Sequence, residues 1–235
     1  MIRGALPGTI PEVTDSQSVD SASSGKSAHS KPDRRSELLE VARKLFLEKG
    51  FAATSVSAIV REAGVAQGTF YLYFKSKQTV LAHLRVEVLH AYLGAWDRAM
   101  SETEAQPADA RLVAGLHAVR DAVYEHRDLV RLFREATTPA EQQQIWLAGR
   151  SRLSEPLKEL LEAGQSEGCF ALDDARMAAQ LALAMLDDLL WESIEFDSPA
   201  PLPITSAHGT RFLLRAFRCD EQRVGELVPL PESQA

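Results

Sequence analysis

Cysteine is scarce: Cys169 and Cys219 are the only two in 235 residues. That is too few for a disulfide scaffold, their spacing suits no metal, and reduced thiols are expected. Long apolar runs are absent too. None approaches the roughly 20 residues of a membrane span, and the opening MIRGALPGTIPEV has neither the continuous apolar core nor the cleavage signal of a secretory peptide. The cytoplasm is therefore the expected location, with no membrane among the partners. Strand-like alternation and repeats of 20–50 residues are missing, so an all-α fold is expected. Catalytic chemistry is also missing: there is no nucleophile with its base, no phosphate loop and no metal cluster. His83 with His90, or His117 with His126, lacks a third ligand at supporting spacing. Asp187 and Asp188 are adjacent, about 100° apart on a helix, so one can face an interior pocket and the other solvent. Neither an enzyme, a metal nor a cofactor is expected.

The chain carries 45% hydrophobic and 25% charged residues, enough to bury a sizeable core. Its net charge of −7 is unevenly placed. Residues 31–85 hold ten Lys and Arg against five Asp and Glu, and residues 86–235 hold 14 against 25. A basic module on an acidic body is the pattern expected when one end approaches phosphates.

Residues 1–32 are rich in Ser, Gly and Pro and poor in large apolar groups, which marks a disordered arm. Lys26, Lys31, Arg34 and Arg35 either touch DNA from it or lie on a plain solvated tail. From residue 33 or 36 a helix carries Leu38, Leu39, Ala42, Leu45 and Phe46 on one stripe and stops at Gly50. Further helices are expected over residues 77–100, 109–125, 129–136, 140–167, 173–196 and 205–218. Pro156 should kink or divide the fourth of these, and Ser198–Pro203 should bend the chain. Residues 219–235 read as a loose tail.

Between the first helix and the one beginning at Lys77 lies TSVSAIVREAGVAQGTFYLYFKSK, Thr54–Lys77. Val56, Ile59, Val60 and Ala63 recur at helical spacing, and Gly64 sits where that short helix must stop. In the next run Phe70 and Phe74 share a face, leaving Gln67, Gly68, Tyr71 and Lys75 on others. Gly50-Phe51, Thr54, Ile59, Ala63-Gly64-Val65, Gly68-Thr69-Phe70-Tyr71, Tyr73-Phe74 and Lys75-Ser76-Lys77 resemble the helix-turn-helix domain of TetR-family transcriptional regulators. The resemblance spans about Arg34–Leu84. One position departs from it. Ala66 stands where the family often has Ser or Thr, so a helix cap of about 1 kcal/mol is missing.

The resemblance implies an N-terminal three-helix DNA-binding domain over 33–84 and a larger helical domain over 85–218 that binds an effector and dimerises. The implied function is a repressor, released from a palindromic operator by a small apolar or amphipathic molecule. Rivals are the same DNA-binding dimer without such control and, on other grounds, a helical enzyme. The DNA-facing candidates are Thr54, Ser55, Gln67, Gly68, Thr69, Tyr71, Tyr73, Lys75 and Lys77. Gln67 can pair with adenine, and Thr69 or Tyr71 can offer a hydroxyl or meet a thymine methyl. Thr54 and Ser55 also read as helix caps, and Tyr71 and Tyr73 as half-buried helix residues. Cavity candidates are Trp96, His117, Tyr124, Phe133, Trp146 and Trp191. Dimer candidates are Ala178, Ala182, Met185, Leu189, Phe212, Leu213 and Phe217, which on sequence alone could equally pack within one chain.

Overall fold

The structure, a computed structural model, describes residues 33–137, 139–195 and 202–230, with the backbone alone at 139–149, 191–193, 195 and 202–206. The N-terminal arm of residues 1–32, most of the Ser198–Pro203 bend and the side chains of Trp146 and Trp191 lie outside the described residues. Among the described residues there are ten helices and no strand.

Helix α1, Arg34–Lys49, starts where the Asp33 carboxylate accepts from the Arg35 amide at 3.2 Å. All five residues of its apolar stripe are buried. Helix α2, Val56–Glu62, is capped by Ser55, whose Oγ accepts from the Ala58 amide at 3.1 Å. Gly64 then turns the chain at φ +65°, a conformation in which a Cβ would be strained. Helix α3, Gln67–Tyr73, begins at Ala66 with no side-chain cap, as the missing hydroxyl requires. Ser76 caps the 26-residue α4, Lys77–Glu102.

These helices close around a first core of Leu38, Phe46, Ile59, Phe70, Phe74, Val80 and Leu84. A segment expected in the body joins it: α6, Arg127–Glu135, buries Leu129 and Leu132 there. With Val88 also in that core, the packing does not divide at residue 84. Two leucines three apart on a short basic helix suit either core equally well, and only the fold decides between them.

The second core gathers α5, Ala108–Glu125, with α7, Pro139–Glu167, α8, Ala175–Glu195, and α9, Leu202–Ala216. Helix α5 lies close along α4 because Gly115 leaves room for the Trp96 indole, which a Cβ there would meet at 2.7 Å. Helix α7 runs through Pro156 undivided. Helix α9 begins at Leu202, three residues before the expected Thr205, with Pro203 in its first turn, where a missing amide hydrogen costs little.

The expected loose tail is a correction. Residues 221–227 form α10, Glu221–Leu227, capped by Asp220, and Cys219, Val224 and Val228 are buried in the second core. Arg223 grips the buried Asp109 carboxylate through Nε at 2.8 Å and Nη2 at 3.2 Å. Arg211 donates to the Val228 carbonyl at 2.7 Å. A seven-residue helix cannot hold itself in water. Its stability comes from a partner 114 residues away, which no local pattern announces.

Candidate nucleic-acid interface and interior cavity

Helix α3 is sided by its phenylalanines. Phe70 and Phe74 are buried with ring centroids 5.7 Å apart, which pins the helix on α1 and α2 and turns Gln67, Gly68, Tyr71 and Lys75 outward, all exposed. Thr69 is half-buried. Tyr71 stands edge-on against Phe70 with 5.5 Å between centroids and keeps half its surface open. Tyr73 is exposed beside it. Each tyrosine thus packs part of its ring on the module and leaves the rest open. The outward side offers an amide, a phenol and an ammonium around a residue with no side chain, the kind of surface that meets base edges and phosphates in a major groove.

Two candidates hold the module together instead. Thr54 is buried, and its hydroxyl lies within hydrogen-bonding distance of the Leu45 carbonyl at 3.1 Å and the Gly50 carbonyl at 2.8 Å. That ties the end of α1 to the start of α2 and encloses the hydroxyl away from any phosphate. Lys77 sends Nζ to the carbonyls of Phe51, Ala52 and Thr54 at 2.7, 3.2 and 3.0 Å, and sits 4.5 Å over the Phe51 ring. An ammonium has three donors, and all three are spent. Ser55 differs: exposed, it caps through its oxygen and keeps its hydroxyl hydrogen to donate. Sequence reasoning overlooked Leu72, which stands fully outward although leucine reads as core. The signal was there: two residues past a buried Phe70 is about 200° round the helix.

The body holds a cavity of about 60 Å³ among α4, α5, α7, α8 and α9. Its wall is mostly leucine, with Trp96, His117, Arg120, Asp187 and Thr210 as the other notable groups. Two of the six expected lining residues, Trp96 and His117, are there. Tyr124 is not: it is exposed, with Arg127 over its ring at 4.8 Å. Phe133 packs on the first core beneath the Arg85 guanidinium. Asp187 faces the cavity and Asp188 solvent, the alternation their adjacency implied. The buried His117 Nε2 has no hydrogen-bond partner among the described residues. Burial holds that imidazole below its usual pKa, with Arg120 adding to the effect. Burial also pushes the Tyr92 phenol on α4 up to about 12, helped by the Asp187 charge.

The dimer candidates divide. Ala182, Leu213 and Phe217 are buried within the single chain, Leu189 lines the cavity, and Ala178 and Met185 are half-buried against the second core. Only Phe212 is open, at 61% exposure, and it is matched by Met177 and Leu181 one turn apart on α8. Small residues at positions 178 and 182 let helices of the second core approach within the chain.

Residues 38–84 match the family described as bacterial regulatory proteins, tetR family, and residues 105–191 match the tetracyclin repressor-like C-terminal domain. The HTH-type transcriptional repressor KstR2 of Rhodococcus jostii is 31% identical over 179 residues, covering 72% of this chain and 82% of that protein. The chain belongs to the TetR family. Another relative is the fatty acid metabolism regulator protein of Bacillus subtilis, 27% identical over 65% of this chain and 79% of that one. Among solved structures, the fatty acid degradation regulator FadR of Bacillus halodurans superposes with a TM-score of 0.63 over 81% of this chain and all of its own, at 23% identity. A TetR-family regulatory protein from Rhodococcus gives 0.62 over the same share at 22%. At such identities the superpositions speak for the fold. As a TetR-family member the chain is a DNA-binding transcriptional regulator, and the relatives named here are regulators rather than enzymes. No described helix is long and apolar enough to cross a membrane.

Proposed function

We propose that this TetR-family protein is a cytoplasmic, homodimeric repressor that leaves a palindromic operator when a small, mostly apolar molecule occupies the body cavity. The observation that carries the proposal is the pairing of an outward polar face on α3 with a cavity whose wall includes Trp96 of α4, the helix whose first turns close the DNA-facing core. A second bridge runs beside it. Helix α6 packs on the first core, while Arg131 donates through Nε to the Ile194 carbonyl of α8 at 2.8 Å. A ligand that displaces α5 or α8 therefore pulls on both bridges, and a changed separation of two α3 helices misfits successive major grooves about 34–36 Å apart.

The leucine wall sets the effector's apolar body, and His117 Nε2 awaits its one polar group. A relative named for fatty acid metabolism is consistent with an apolar effector. About 60 Å³ is small beside a cavity of about 150 Å³ that holds benzene. The cavity must widen on binding, and that widening is the conformational change the mechanism needs. The same small volume favours a second reading, a dimeric regulator with no small ligand. Ligand affinity measured with and without saturating operator decides between them: opposition by about 1–3 kcal/mol is expected. Identical affinities, or no binding by any apolar probe, reject effector control.

The dimer face in this proposal is the open strip Met177, Leu181 and Phe212 on α8 and α9. Placing Arg at Leu181 or Phe212 should give monomers of native helicity by sedimentation, because neither side chain is needed inside the chain. A dimer surviving both changes would put the interface elsewhere.

A further inference from the structure

The outward face of α3 carries one group that can neither donate nor accept a hydrogen bond. Leu72 is 81% exposed, more than any other large apolar side chain described. It stands one turn after Gly68, next to Tyr71 and three residues before Lys75. A Cβ built at Gly68, one turn before Leu72, would meet nothing within 4 Å among the described residues. The result is an apolar knob on a polar face with clear space beside it.

A single exposed leucine is ordinary on a surface, but this one lies on the α3 side that carries Gln67, Tyr71 and Lys75, so whatever that side meets also meets Leu72. A second copy of this tip is disfavoured, because residues 31–85 carry ten basic against five acidic groups and like charge repels. Duplex DNA is attracted by that charge. The apolar feature on base edges in a major groove is the C5-methyl of thymine. We infer that Leu72 reads a thymine methyl at one position of each half-site, so that part of this protein's sequence preference is an apolar contact. The inference rests on α3 being the DNA-reading element.

Duplexes selected by the full-length protein from a randomised pool supply the probe. Each thymine is then replaced, symmetrically in the two half-sites, by deoxyuridine, which removes the methyl alone, and affinity is read by fluorescence anisotropy. One replacement should weaken the wild type about fourfold per half-site, the value of one buried methylene-sized group. That penalty should vanish in Leu72→Ala and persist in Leu72→Met, which keeps the apolar reach. The salt slope should be the same for all three proteins, since no phosphate contact changes. Because Leu72 is so exposed, the variants should fold as the parent does. If the selected duplexes bind tightly but no replacement separates wild type from Leu72→Ala, the leucine reads no methyl while α3 still binds DNA. If the wild type selects no duplex, both readings fall.

Discussion

The N-terminal module and the body are both helical and both closed by apolar packing, yet they differ in where their polar groups go. In the module, polar side chains finish the backbone: Thr54 and Lys77 between them meet five carbonyl oxygens, those of Leu45, Gly50, Phe51, Ala52 and Thr54, while the far side of α3 stays open. In the body, polar groups such as His117, Arg120, Asp187 and Thr210 line an interior space, and α10 is attached by Arg223 to Asp109. A reader tied at its backbone and a mostly leucine-lined interior with a few polar groups suit the two tasks that the proposed function assigns to them.

Phe70→Ala should break this contrast most severely. It empties a fully buried site at the centre of the first core, costing about 3–5 kcal/mol, and should unfold the module in a circular-dichroism melt. Tyr71→Ala, one residue along, should leave the melt within about 0.5 kcal/mol of the parent. Equal destabilisation by the two would mean that α3 is not sided as described.

Next in size come the two cation staples. Lys77→Met leaves three carbonyls without their donor, and Arg223→Met leaves the buried Asp109 carboxylate without its partner. Each should cost about 2 kcal/mol in denaturant titration. Their effects on DNA should differ: Arg223→Met should leave operator affinity of the folded protein unchanged, whereas Lys77→Met loosens the link between the α1–α2 turn and the start of α4 and should weaken DNA binding. If Lys77→Met lowers the salt slope of DNA binding by about one without loss of stability, Lys77 touches phosphate after all.

The smallest effect is on pH and touches both regions. Burial lowers the pKa of His83 in the module, with Arg35 adding to it, and that of His117 in the body. Both depress the folded-state value below the ordinary 6.5, so the unfolded chain binds more protons in the window beneath it. Stability should therefore be fullest above about pH 6.5 and fall as pH drops through the two folded values. Thermal melts at pH 7.5 and 5.5 should show this, and His117→Gln should flatten the body's share. A melt that rises on acidification through that window would contradict the assignment.

Much of the module was legible because its determinants are local. Phe70 and Phe74 lie four apart, Gly50 and Gly64 stop helices at positive φ, and Ser55 and Ser76 cap them. What escaped is what depends on distant chain. That Thr54 and Lys77 reach carbonyls cannot be read from residue type, since both are equally apt for phosphate. The body was legible as helices and opaque as a site: Tyr124 and Phe133 are aromatic at helical spacing like Trp96, but only packing shows which of the three faces the cavity. Ala182 and Leu213 are buried within the single chain for the same reason, small and apolar residues being as useful inside a chain as between two.

The central claim of the proposal is that the outward face of α3, seated by the buried Phe70 and Phe74, is what binds DNA. It is tested most directly by equilibrium titration of wild type, Tyr71→Ala and Lys75→Ala against the selected duplex over a range of salt. Tyr71→Ala should lose roughly 1–3 kcal/mol at unchanged salt slope and blur one position of each half-site, and Lys75→Ala should weaken all sequences alike and lower the slope by about one. Wild-type affinity and slope in both variants would contradict the account.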